Sequence, residues 1–159
     1  MVIKFLKSGV TWLCNTKSII KLFFKCLIAA IIVSFFFATI AYTFKLDAEN
    51  PIDSESVFYR FFMMVVLAPV LETYLLQEGL NWILIQCRIN KFVHLLLIQS
   101  SIFALTHCYS VVYVITIFGV GVSINFFFLR TKTLTTKYIQ YTILLHASYN
   151  LIEFLLKYI

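Results

Sequence analysis

The chain runs without a charged side chain from Cys26 to Phe44, and long apolar runs recur over 61–86, 92–106, 111–129 and 138–156. At roughly 1.5 Å per residue, a helix of that length reaches across a hydrocarbon core of about 30 Å. Backbone amides in hydrocarbon have no water to bond to, so a spanning segment is either a helix or part of a closed barrel. The runs are continuous rather than alternating, which selects helices. Composition agrees: 62% of residues are hydrophobic and 13% charged, against about 45–50% and 25% in soluble domains. The expectation is an all-α, polytopic transmembrane helical bundle of about five spans, preceded by an amphipathic amino-terminal helix.

Charge placement orders the spans. Residues 1–25 carry Lys4, Lys7, Lys17, Lys21 and Lys25 and no acid, with Val2, Leu6, Val10 and Leu13 at helical spacing. That pattern predicts a basic interfacial segment over 1–25 and a first transmembrane helix over 26–44. Arg88 and Lys91 follow the second run, and Arg130, Lys132 and Lys137 follow the fourth. The opposite flanks hold an acidic linker (Asp47, Glu49, Asp53, Glu55), an uncharged turn near Cys108–Ser110, and Lys157. Basic flanks favour the cytoplasm, so the amino terminus is expected there and the carboxyl terminus outside, in a plasma-membrane protein. The net charge of +6 is thereby accounted for by topology, and no nucleic-acid partner is expected. The partners are a lipid bilayer and a peptide or protein. Cys14, Cys26, Cys87 and Cys108 have no metal or disulfide spacing and read as small apolar fillers. Asn50-Pro51 marks a turn, and Asp53 or Ser54 is the expected cap of the second span.

Three spans hold polar residues that lipid would not tolerate. In the second, Pro69 removes a backbone donor and Glu72 follows one turn later; the carbonyl expected to lose its partner is that of Val65. In the third, Ser100, Phe103 and His107 share a face, whereas His94, beside Lys91, reads as an interfacial residue. In the fifth, Thr142, His146, Asn150 and Glu153 form a polar stripe, in which Thr142 reads as interhelical glue. Gly119 and Gly121 of the fourth span are expected to permit close helix contact, and Asn125 to bond to a neighbour. A carboxylate and two imidazoles on separate spans suit activation of water, directly or through Zn²⁺ or another divalent metal held by Glu72, His107 and His146. They also suit a proton relay in a small transporter.

Ala68-Pro69-x-x-Glu72-Thr73-x-x-x-Gln77, then Phe103-x-x-x-His107, then His146-x-x-x-Asn150 resembles the three motifs of the CAAX-protease and bacteriocin-processing (CPBP, Abi-type) family of intramembrane endopeptidases. The resemblance covers 58–159. It implies a protease core in which Glu72 activates water and His107 polarises that water or ligates a metal. His146 and Asn150 would stabilise the oxyanion or assist the metal. Peptide maturation or self-immunity is the implied process. The family's usual first motif is Glu-Glu-x-x-x-Arg; here Thr73 and Gln77 replace the second Glu and the Arg, a neutral pair expected to hydrogen-bond at i, i+4. A catalytically inactive binding or immunity protein is the alternative this substitution raises.

Overall fold

The computed structural model describes residues 19–46 and 55–157; the basic segment before Ile19 and most of the acidic linker lie outside them. Among the described residues there is no strand, and five helices form an all-α bundle: α1 (Ile19–Phe44), α2 (Val57–Gln86), α3 (Phe92–Leu105), α4 (Val111–Lys132) and α5 (Tyr138–Leu156). The first helix is already wound at Ile19, ahead of the expected Cys26, and nothing between Ile19 and Lys25 breaks helical winding. By length and composition α1, α2 and α4 are long and apolar enough to cross a membrane, while α3 is a shorter apolar helix. The fifth, with 19 residues, is diluted by its polar stripe. The protein is therefore a polytopic membrane bundle.

Local chemistry sets the helix ends. Ser56, rather than Asp53 or Ser54, caps α2 and accepts from the Tyr59 amide at 3.4 Å. Ser110 caps α4 by accepting from the Tyr113 amide at 3.2 Å. Such caps satisfy donors that the first turn leaves open. Two helices stop at non-glycine residues of positive φ, Lys45 (φ 51) and Arg88 (φ 62). In each case the following amide bonds back five residues, Leu46 to the Ala41 carbonyl and Ile89 to that of Leu84, both at 2.9 Å. That pattern closes a helix in the Schellman manner.

The fourth helix is the hub, packing most extensively on α1 and α3. Two glycines allow this, as expected. A Cβ at 119 would stand 2.6 Å from Val33 Cγ1 of α1, and one at 121 would stand 3.0 Å from Phe103 Cδ1 of α3. Leu22, Ile124, Phe127 and Leu145 fill the main core, and Leu84, Leu95, Phe128 and Leu129 a second cluster near the other end of α2. Many large apolar side chains stay outward, including Phe35, Phe58 and Trp82, as lipid contact permits. Asn125 donates to Ser100 Oγ at 3.3 Å, joining α4 to α3. Thr142 does not act as interhelical glue. Its hydroxyl donates to the Tyr138 carbonyl of its own helix at 2.8 Å, the back-bond that is nearest at hand for a helical threonine.

The cysteines divide. Cys26 is buried, whereas Cys87 and Cys108 are exposed free thiols in the turns at opposite ends of the bundle, because each follows the last residues of a helix rather than lying within one. The filler expectation holds for Cys26 alone among the described cysteines. His94 is exposed at the start of α3.

Candidate active site

The second helix is not wound uniformly. It is π-helical over Phe62–Leu67 and again over Thr73–Gly79, with α-helical turns between and on either side. In the first π segment the Ala68 amide bonds to the Met63 carbonyl, five residues back. In that register the group lacking an amide partner because of Pro69 is the Met64 carbonyl, not that of Val65 as α-helical counting expects. Asn150 Nδ2 donates to it at 2.7 Å from α5. The proline and the asparagine, far apart in sequence, thus solve one problem: a carbonyl freed at membrane depth is bonded by a side chain from another helix.

One turn beyond Pro69, the Glu72 carboxylate meets both imidazoles. Oε1 lies 3.7 Å from His107 Nε2 and Oε2 lies 3.6 Å from His146 Nε2. Glu72 Oε2 and His146 Nδ1 are buried with no hydrogen-bond partner. His107 is held from behind, its Nδ1 lying 2.9 Å from the Phe103 carbonyl and 3.1 Å from the Thr106 hydroxyl. In the neutral ring a contact to a carbonyl places the proton on Nδ1 and the lone pair on Nε2. That lone pair faces a carboxylate oxygen, so two acceptors confront each other across a gap suited to a donor such as water. Phe103 also stacks its ring near both imidazoles, with centroids 5.1 Å from His107 and 5.7 Å from His146.

Thr73 and Gln77 lie beneath this group, fully buried, but they do not bond to each other. The Thr73 hydroxyl and both Gln77 amide atoms have no hydrogen-bond partner. The i, i+4 expectation assumed about 3.6 residues per turn, and the π winding of 73–79 changes the relative direction of those side chains. The third helix engages the Gln77 backbone instead: Gln99 Nε2 donates to its carbonyl at 2.9 Å.

A cavity of about 370 Å³ opens above Glu72 and is lined by His107, His146, Asn150 and Glu153, all anticipated as polar residues. Sequence reasoning missed the contribution of α1. Ser34 reaches the cavity and its hydroxyl bonds to that of Tyr149 at 2.6 Å, tying α1 to α5. Spacing alone does not single out Ser34 from the other hydroxyls of α1. Thr39 and Thr43 of α1 spend their hydroxyls on carbonyls of their own helix, leaving Ser34 as the polar group turned inward. Tyr109 and Tyr113, ring-stacked near His107, complete an aromatic wall that no motif announced.

A carboxylate and two imidazoles are ligand types that suit Zn²⁺. Among the described residues, however, no three His, Cys, Asp or Glu side chains are grouped so as to hold a metal ion. Glu72 instead sits between two histidines as the shared partner of two separate contacts.

Comparison with known proteins bears on this arrangement at the family level. No curated protein and no solved structure matches the chain. A family model does, over residues 54–152, and its description is type II CAAX prenyl endopeptidase Rce1-like. The matched stretch takes in Glu72 on α2, His107 just past the end of α3, and His146 and Asn150 on α5. On a match spanning more than half of its length, this membrane protein belongs to the Rce1-like family of CAAX-type intramembrane proteases.

Proposed function

We propose that the chain is an active intramembrane endopeptidase that hydrolyses peptide bonds in the cavity above Glu72. The observation that carries the reading is the placement of one carboxylate, with an unpartnered buried oxygen, between two imidazole nitrogens at 3.6–3.7 Å. Glu72 takes a proton from a water held between it and His107 Nε2 as the oxygen attacks the peptide carbonyl carbon. The oxyanion that forms is stabilised by His146, with its ring donating, and by the second N–H of Asn150, whose first is spent on the Met64 carbonyl. Collapse of the tetrahedral intermediate returns the proton to the leaving amine. No step requires Thr73 or Gln77, which is why their departure from the family's usual pair is compatible with activity.

The cavity also favours hydrolysis over transport. Phe103, Val120 and His146 line it and are buried, and the apolar cluster of Leu84, Leu95, Phe128 and Leu129 packs toward the far end of α2. A proton or solute relay needs a polar path to both faces. The process served is peptide maturation or self-immunity, in a plasma-membrane protein whose amino terminus is cytoplasmic.

The test is Glu72→Gln in the full-length protein reconstituted into lipid vesicles, assayed with a quenched-fluorescence peptide library. Cleavage by the parent chain and its loss in the variant, with helicity unchanged by circular dichroism, is the expected result. A parent chain that cleaves nothing, in a host where Glu72→Gln also keeps its biological effect, would favour the binding-protein alternative raised by Thr73 and Gln77.

A further inference from the structure

The cavity and the basic residues occupy opposite ends of the bundle. Each helix contributes to the cavity from the same half: α1 through Ser34 and Ala41 in its later part, α2 through Met64 and Glu72 in its earlier part, α5 through Asn150 and Glu153 in its later part. The other end gathers Lys21 and Lys25 at the start of α1 and Arg88 and Lys91 between α2 and α3. Arg130, Lys132 and Lys137, around the α4–α5 connection, join them there. The only carboxylate described at that end is Glu78, which is consumed by Lys132 at 2.6 Å and Tyr138 at 3.1 Å. At the cavity end, by contrast, Lys45, Arg60 and Lys157 are set against Glu55 and Glu153, and by sequence against Asp47, Glu49 and Asp53.

We infer that the cavity is entered from the non-cytoplasmic face of the membrane, and that its substrates are polypeptide segments presented there, whether translocated peptides or extracytoplasmic loops. Lysine and arginine close to the ends of spans are retained in the cytoplasm, and the bias here holds at every basic-end connection rather than at one loop. Buried Phe103, Val120 and His146 and the second apolar cluster lie between the cavity and the basic end. A peptide in the cytoplasm would meet the packed Leu84, Leu95, Phe128 and Leu129 cluster and the Glu78–Lys132 pair before reaching any reactive group. The nature of the substrate rests on the peptidase reading, whereas the direction of access rests on the cavity and the charges alone.

The protein supplies its own reporters, since exposed Cys87 lies at the basic end and exposed Cys108 lies beside the cavity mouth. In full-length protein whose other cysteines are replaced (Cys14→Ser, Cys26→Ala), single-cysteine versions retaining Cys87 or Cys108 are treated with a membrane-impermeant maleimide. The cells are spheroplasts, labelled before and after lysis. A third version lacks all native cysteines and carries Val112→Cys on the cavity wall. Cys108 and the position-112 thiol are expected to label before lysis, and Cys87 only after it. Labelling of Cys87 in intact spheroplasts, alone or together with Cys108, overturns the proposal. So does a position-112 thiol that stays unlabelled where Cys108 reacts, because the cavity would then not open on that face. Repeating the labelling on Glu72→Gln keeps the two readings apart: an unchanged pattern with persistent biological effect sinks the peptidase and leaves the direction of access standing.

Discussion

Glu72 and Glu78 lie on the same helix and live under opposite conditions. Glu78, toward the basic end, has both oxygens engaged, by Lys132 at 2.6 Å and by the Tyr138 hydroxyl at 3.1 Å. Lys132 also lies over the rings of Phe128 and Tyr138. Glu72, at the cavity, has one oxygen with no hydrogen-bond partner and two imidazoles slightly beyond hydrogen-bonding distance. A saturated carboxylate fixes helices to one another. An unsaturated one, held in place but not neutralised, keeps its lone pairs for a reacting molecule. The same amino acid thus ties helices together at one end and, in the proposed reaction, serves as the base at the other, and the difference lies in what α3, α4 and α5 place around it.

The largest test of that contrast is the pair of glutamine substitutions. Glu72→Gln is expected to lower peptide hydrolysis by about 10²–10⁴-fold, the usual contribution of a positioned base, with thermal unfolding in detergent little changed. Asn150→Ala should follow, since it strands the Met64 carbonyl at membrane depth. A loss of about 1–3 kcal/mol in stability, together with reduced turnover, is expected. A variant with unchanged melting would show that this carbonyl finds another partner.

Gly119→Ala is expected to cost about 1–3 kcal/mol by overpacking against Val33, and Val33→Ala in the same chain should restore most of it. The rescue matters because Ser34, next to Val33, forms part of the cavity wall. Glu78→Gln should be milder, about 1–2 kcal/mol for a half-exposed charged hydrogen bond, and should leave turnover per folded molecule unaltered. A catalytic defect in Glu78→Gln as large as that of Glu72→Gln would erase the distinction between the two carboxylates. Smallest of all, dialysis against a chelator is expected to leave hydrolysis unchanged. Loss restored by added Zn²⁺ would make Glu72 a ligand rather than the base.

Much of the molecule was readable from residue order because membrane helices are dictated by continuous apolar length. The five helices, the polar stripe on α5, the shared face of Phe103 and His107, and the close approach at Gly119 and Gly121 all follow from spacing on a regular helix. What failed were inferences that carried α-helical geometry through α2. The freed carbonyl was one residue off, and Thr73 and Gln77 did not pair, because two segments of that helix are π-wound. Thr142 departs from expectation for a related reason: a hydroxyl on a helix has a carbonyl of its own within reach.

Residue order by itself determined that this chain lives in a membrane, where its helices run, and which of their positions are too polar to face lipid, since each of those properties is fixed by local length, periodicity and transfer cost. Only the tertiary structure decided that Glu72 stands between two histidines, that Asn150 bonds to the carbonyl left open by Pro69, and that Ser34 of the first helix closes the cavity wall through Tyr149. Those are relations between side chains on different helices, and helical spacing carries no information about how one helix is rotated against the next.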